Sequence, residues 1–123
     1  MNMIEIYGMD GKVTQLINGD KIVCVSPIKL NSKDCVQIEH SSGDYVFNSH
    51  ETLENFKNRT VEKWVELKCG ENPINVKPST IVGYRKEQKG ICFWISGNVD
   101  GFICTESLES FEEKLGIKKE DAE

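Results

Sequence analysis

The sequence predicts an α+β, β-rich fold in which two pseudo-symmetric small units, each of about four antiparallel strands followed by a short helix, pack as one compact body. Three observations lead there. Residues 3–59 and 64–115 carry the same order of apolar runs and turns, and such self-similarity sets the architecture before any single motif does. Many of the apolar runs alternate with polar residues at period two, the signature of strands with one buried face. Each half then closes on a segment with helical spacing, Leu53-Glu54-Asn55-Phe56 and Leu108-Glu109-Ser110-Phe111, identical at three of four positions.

The first strand of each unit is apolar-Glu-apolar, Ile4-Glu5-Ile6 and Val65-Glu66-Leu67. The segments Leu16-Ile17-Asn18-Gly19-Asp20-Lys21-Ile22-Val23 and Asn75-Val76-Lys77-Pro78-Ser79-Thr80-Ile81-Val82 follow. In each, a strand ends in a turn carrying Gly19 or Pro78, and Asp20 or Ser79 is able to cap a short helical turn before Ile-Val resumes. The runs from Cys35 to Glu39 and from Ile91 to Ile95 read as strands, followed by Gly-containing turns at Ser42-Gly43-Asp44 and at Gly97 to Gly101. Tyr45-Val46-Phe47 and Phe102-Ile103-Cys104 supply the last strands. The offset between halves drifts from 61 through 59 to 55, the size of ordinary loop-length changes.

Leu53 with Phe56, and Leu108 with Phe111 and Leu115, share one helical face. Asn48, three residues before Glu51, resembles a capping box, and Thr105 or Ser107 can cap the second helix. A unit of ~55 residues buries too small a fraction of its surface to be secure alone, so the two are expected to share a core, as the covalent counterpart of a twofold dimer. Thr60-Val61-Glu62-Lys63 holds no Gly or Pro, which argues against a flexible linker. Residues 116–123 read as a charged C-terminal tail.

This order of elements resembles the small flagellar FlbD-type proteins. In the first half the likeness rests on Ile4, Ile6, Gly11, Asn18, Asp20, Ile22, Val36, Ile38, Gly43, Val46 and Leu53. In the second it rests on Val65, Leu67, Val76, Pro78, Ile81, Ile91, Phe93, Gly97, Ile103, Glu106 and Leu108. The chain then reads as a tandem duplication of a module usually found singly. The resemblance implies a small, non-enzymatic accessory protein and supplies no catalytic residue.

Composition narrows the function further. The chain has 123 residues, with 20 Asp+Glu against 15 Lys+Arg and a net charge of −5. Only two of the bases are arginines, which argues against duplex nucleic acid, whose phosphates need a clustered basic surface. The acidity is local. Residues 106–123 hold 7 acids and 3 bases, a net of −4, which leaves −1 for the rest of the chain.

The five cysteines, Cys24, Cys35, Cys69, Cys92 and Cys104, include no C-x-x-C pair, so neither a zinc site nor a disulfide framework is expected. Several sit in apolar runs, as buried free thiols of a reducing cytoplasm do. The N-terminus lacks a basic and apolar leader pattern, and no run approaches the ~18 apolar residues of a membrane span. A cytoplasmic protein without membrane association is expected.

The patterns of common catalytic sites do not occur. No G-x-S-x-G, Walker-type, H-E-x-x-H or G-x-G-x-x-G sequence is present. His40 and His50 sit where turn and capping positions explain them, and Glu112-Glu113 and Glu120-Asp121 read as solvated. The chain is expected not to be an enzyme and to need no cofactor and no metal.

What remains is Tyr84-Arg85-Lys86-Glu87-Gln88-Lys89-Gly90, the densest basic stretch, leading into Phe93 and Trp94. A guanidinium beside aromatic rings suits a phosphate, a nucleobase or a partner carboxylate. Trp64 and Trp94 alternate with apolar neighbours, which directs both outward or into the contact between units. The candidate binding residues are therefore Tyr84, Arg85, Lys86, Lys89, Trp94 and Trp64. The leading expectation is a bacterial accessory or phage-encoded binding and regulatory protein that presents an acidic surface to a protein partner and forms a homodimer or higher oligomer. The alternative is a phage-type protein sequestering an anionic nucleotide or similar small ligand.

Overall fold

The computed structural model describes residues 2–41, 46–60, 62–97 and 100–119. The first half contains β1 (Met3–Tyr7), β2 (Val13–Asn18), β3 (Ile22–Leu30), β4 (Lys33–His40), β5 (Val46–Ser49) and α1 (Leu53–Arg59). The second contains β6 (Val65–Cys69), β7 (Asn72–Val76), β8 (Ile81–Glu87), β9 (Gly90–Ile95), β10 (Phe102–Cys104) and α2 (Leu108–Leu115). Each half thus has five strands before its helix, one more than the spacing of apolar runs suggests. The difference lies in Gly19–Lys21 and Pro78–Thr80, full 3-10 turns that end β2 and β7 and start new strands in other pairings. The expected turn at Ser42-Gly43-Asp44, with Tyr45, and the pair Glu120-Asp121 lie outside the described residues.

All strand pairings are antiparallel. They form a β1-β2 hairpin, a β10-β9-β8 sheet and a five-stranded sheet in the order β5-β4-β3-β7-β6. The last of these joins the halves, because β3 of the first lies beside β7 of the second with Cys24 opposite Val76 and Val25 opposite Asn75. The Lys77 N–H extends that ladder to the Val23 carbonyl at 3.2 Å.

Corresponding bonds recur in both halves. The N–H of His50 donates to the Tyr7 carbonyl at 2.9 Å, and that of Thr105 to the Lys68 carbonyl at 2.8 Å. Ser41 donates to Lys21 and Ser96 to Thr80 in the same way. The first pair ties the opening strand of each half to the residues before its helix, and the second ties the 3-10 turn to the end of the strand hairpin that follows it.

Two apolar clusters fill the interior. One gathers Ile6, Ile22, Val25, Val36, Ile38 and Phe56, with Trp64 packed against it. The other gathers Leu67, Val76, Ile91, Phe93, Ile95 and Phe111, and takes in Val23 and Cys24 from the first half. Each half therefore completes the other's core. Cys24 and Val25 are successive residues and face opposite sides of β3, and the register irregularity between Ile22 and Cys24 places Val23 with Cys24, so a single strand serves both clusters.

The helices start where small polar residues accept the first free N–H groups. Thr52 caps α1 by accepting from the Asn55 N–H at 3.1 Å, and Ser107 caps α2 by accepting from Ser110 at 3.1 Å. Asn48, read from sequence as the first cap, is still in β5. α2 ends on Gly116 at φ 63°, a left-handed cap that glycine adopts without steric cost. Beyond it, Ile117 packs against the second cluster and Lys119 reaches Glu112 at 3.0 Å, so the first part of the expected tail is attached to the body. Among the described residues, no helix is long and apolar enough to cross a membrane.

Candidate partner-binding face

The hairpin of β8 and β9 carries most of the sequence candidates, and strand alternation divides them between its two faces. Tyr84 stands opposite Phe93, Arg85 opposite Cys92 and Gly83 opposite Trp94. The turn through Gln88 and Lys89 needs glycine at position 90, whose φ is 146° and where a Cβ would come within 2.2 Å of the Cys104 carbonyl oxygen.

Tyr84 faces inward. Its ring lies 5.1 Å from that of Phe111, and its hydroxyl donates to Glu112 Oε2 at 2.5 Å. That bond holds the Tyr84 hydroxyl above its ordinary pKa, while the same bond and Lys119 hold the Glu112 carboxyl below its own. Tyr84 therefore seats α2 on the sheet. Glu112, read from sequence as a solvated acid, is the acceptor of that contact.

Arg85 and Trp94 meet on the outer face. The guanidinium carbon of Arg85 lies 5.4 Å from the Trp94 ring centroid, within cation–π range. Arg85 Nε also donates to Glu87 Oε1 at 2.7 Å, and its side chain is 66% exposed. Trp94 is half-buried and held from behind by Gly101, where a Cβ would stand 3.1 Å from the indole Nε1. Gly83 leaves the strand opposite the indole bare, and Val82, at the bulge between Ile81 and Gly83, is 72% exposed. The result is an open aromatic and cationic platform on the outer face of the hairpin.

The other candidates do not join this platform. Lys86 shares its side of β8 with Tyr84, the opposite face from Arg85, and Lys89 sits in the hairpin turn. Both are exposed. Trp64 lies at the junction of the halves, as the inward alternative had it. Its ring is 6.3 Å from Phe56, its Nε1 donates to Thr60 Oγ1 at 3.2 Å, and Lys77 Nζ sits 5.7 Å from its centroid.

Lys77 is a residue that the sequence reading passed over. It is 6% exposed, donates to the Gly19 carbonyl at 2.6 Å and pairs with Glu62 at 3.4 Å. A lysine where the first half has Asn18 was the one available signal of this cross-half contact.

The buried titratable groups hold structure together. Glu51 accepts from Ser49, Asn55 and Arg59, and Arg59 also donates to the Glu5 carbonyl at 2.7 Å. Glu106 occupies the corresponding place. It accepts from the Lys68 N–H at 2.9 Å, Ser110 at 2.6 Å and Lys114 at 2.9 Å, and Lys114 reaches the Glu66 carbonyl at 3.2 Å. Burial pushes both carboxyls up, but the hydrogen bonds from their cations and hydroxyls outweigh it. Glu51 is held below the usual carboxylate range, and Glu106 is brought down to about 2.

All five cysteines are free, and only Cys69 is not fully buried. Burial, followed by the nearby Glu39, pushes the Cys24 thiol up. Burial, with Cys104 and Glu106 near it, pushes Cys69 up to about 12. Such thiols are protonated and poorly nucleophilic at neutral pH. Among the described residues, no group of three His, Cys, Asp or Glu side chains is placed to hold a metal.

Comparison of the chain with family models, with curated proteins and with solved structures returned no match.

Proposed function

We propose that this chain is a small, non-enzymatic, cytoplasmic binding protein of bacterial or phage origin that acts by protein–protein interaction through the outer face of β8 and β9. The observation that carries this reading is the exposed Arg85 guanidinium over the Trp94 ring. Arginine and tryptophan are enriched at the energetic centres of interfaces, because a large ring and a fork of donors bury much area with few rotatable bonds. Glu87 holds Arg85 in place, and a partner carboxylate can replace it. The acids of α2 that point to solvent, Glu109 and Glu113, add a negative end that steers the approach of a partner.

The proposal includes the duplication that the FlbD-type resemblance implies. Its support is the recurrence of whole contact sets, Glu51 with Arg59 and Glu5 in one half and Glu106 with Lys114 and Glu66 in the other. A binding role is favoured over a catalytic one because the shifted carboxyls and thiols are engaged in packing and ion pairs. Sequestration of an anionic nucleotide has weaker support, since Arg85 and Lys86 point to opposite faces of one strand.

The test is affinity capture from a bacterial host lysate with the wild-type chain and with Trp94→Ala. A specific protein retained by the first and lost by the second is the expected result. No retained protein, or one indifferent to Trp94, removes the reading. A thermal-shift series with nucleotides addresses the alternative, for a ligand at a hundred times its dissociation constant adds about 2.7 kcal/mol of stability.

A further inference from the structure

The outer face of the β8-β9 hairpin carries its own anion. Alternate side chains of a strand share a face, so Gly83, Arg85 and Glu87 stand together, with Trp94 opposite Gly83 and Cys92 opposite Arg85. Two glycines decide how the indole lies. A Cβ at Gly83 would meet its six-membered ring at Cε3, 3.9 Å away, and one at Gly101 would stand 3.1 Å from Nε1 and 3.2 Å from Cδ1. The ring is therefore flanked at both ends by backbone without side chains. Cys92 and Ile103, opposite one another on β9 and β10, continue this face as an apolar floor beside Arg85.

The guanidinium carbon stands 5.4 Å from the ring centroid, and its Nε donates to Glu87 Oε1 at 2.7 Å. Among the described residues its two Nη nitrogens make no hydrogen bond, which leaves four of the five donors of a fork matched to carboxylates. The Arg85 and Glu87 side chains are 66% and 34% exposed, and an ion pair so open to solvent adds little stability. Glu87 thus supplies a carboxylate to a cation that an incoming carboxylate also needs. Charge indicates the source of that carboxylate. Residues 84–90 hold three bases and one acid, a net of +2, in a chain whose net charge is −5. The hairpin is the basic end of an acidic protein, complementary to an acidic segment. The apolar floor suits the residues that flank a carboxylate in a polypeptide, and a free inorganic anion makes no use of it.

We propose that the platform takes a carboxylate of an acidic peptide segment, and that Glu87 is a built-in competitor which the segment displaces from Arg85. This rests on the reading of the β8-β9 face as a docking surface and names the chemistry of its partner. The incoming carboxylate occupies the fork of Arg85, an apolar neighbour lies against Trp94, Cys92 and Ile103, and Glu87 turns to solvent. A segment without a carboxylate leaves the Arg85–Glu87 pair in place, so Glu87 makes the platform selective.

The probe is a blocked pentapeptide with one glutamate between leucines, beside the same peptide with glutamine in its place. Binding is read from the indole N–H resonances, Trp94→Phe assigning them and Trp64, bonded to Thr60, serving as internal reference. The glutamate peptide is expected to shift the Trp94 resonance saturably with Trp64 unmoved, and the glutamine peptide to bind at least about tenfold more weakly. Glu87→Gln is expected to tighten binding of the glutamate peptide about two- to fivefold, the scale of an exposed ion pair. Arg85→Gln is expected to weaken it at least about tenfold. An unmoved Trp94 resonance, equal binding of the two peptides, or a Glu87→Gln chain that binds no tighter than wild type overturns the proposal. Inorganic phosphate that shifts Trp94 at lower concentration than the peptide overturns the choice of a carboxylate. Lysate capture that depends on Trp94 but is indifferent to Arg85→Gln keeps the docking face and overturns this chemistry, so the two readings fail separately.

Discussion

Glu106 shows how much one buried carboxylate does in this chain. Its side chain is 8% exposed and ties α2 to β6 through Lys68, Ser110 and Lys114. Replacement by glutamine keeps the shape and removes the charge. Hydrogen bonds to charged groups contribute roughly 1.5–3 kcal/mol each before compensation, so Glu106→Gln is expected to cost about 2 kcal/mol near neutral pH, read from chemical denaturation. The pH dependence has a definite sign. The folded carboxyl titrates near 2 against an ordinary value of 4.5, so its contribution is present above about 4.5 and is lost as pH falls towards 2. The wild type should therefore lose stability more steeply than Glu106→Gln across that window, and parallel acid profiles would rule out this account. The residue type was visible in sequence and its role was not, because Glu106 meets Lys68 only when the fold brings positions 38 apart together. Tyr84 was misplaced for the opposite reason. It belongs to a basic stretch, but alternation along β8 assigns it to the core.

At the level of elements, period-two runs and the two Leu-Glu-x-Phe segments located most strands and both helices, because these patterns are local. The β3-β4 hairpin was harder to see. Its turn is made by Asn31 at φ 52° and Ser32 at φ 64°, closing Leu30 on Lys33, without the glycine that usually marks such a turn. A non-glycine residue in the left-handed region carries a steric cost of about 1–2 kcal/mol, moderated for Asn. Glycine relieves it but adds roughly 0.5–1 kcal/mol of entropy to the unfolded chain. Ser32→Gly is therefore expected to stabilise the protein by up to about 1 kcal/mol, seen as a rise in the denaturation midpoint at unchanged slope. A fall in stability would mean that the Ser32 hydroxyl makes a contact outweighing the strain. The helix caps show the same limit of local reading, since Asn48, Thr52, Thr105 and Ser107 are all suitable residues. The strand ends decide among them, because β5 runs through Asn48 to Ser49 and leaves Thr52 as the first free cap.

The whole molecule depends on exchange between its halves. Val23 and Cys24, each 2% exposed, lie in the second cluster although they belong to the first half, and Trp64 of the second half covers the first cluster. Lys77 adds a polar tie, its Nζ donating across the junction to Gly19. Separation would expose the paired edges of β3 and β7 together with the apolar side chains on both. Units of ~60 residues have little stability to lose. A chain divided in the connection between Thr60 and Glu62 is thus expected to give two fragments that show no cooperative unfolding when purified apart. Mixed at equal concentration, they should recover the β-sheet circular dichroism and a single transition, because the β3-β7 ladder and the two clusters specify one another. Proline or charged residues at Cys24 should abolish this complementation while leaving each isolated fragment as it was. A second-half fragment that unfolds cooperatively alone would show instead that Val23 and Cys24 are accessory to its core, and the shared sheet would then be a contact between two independently stable bodies.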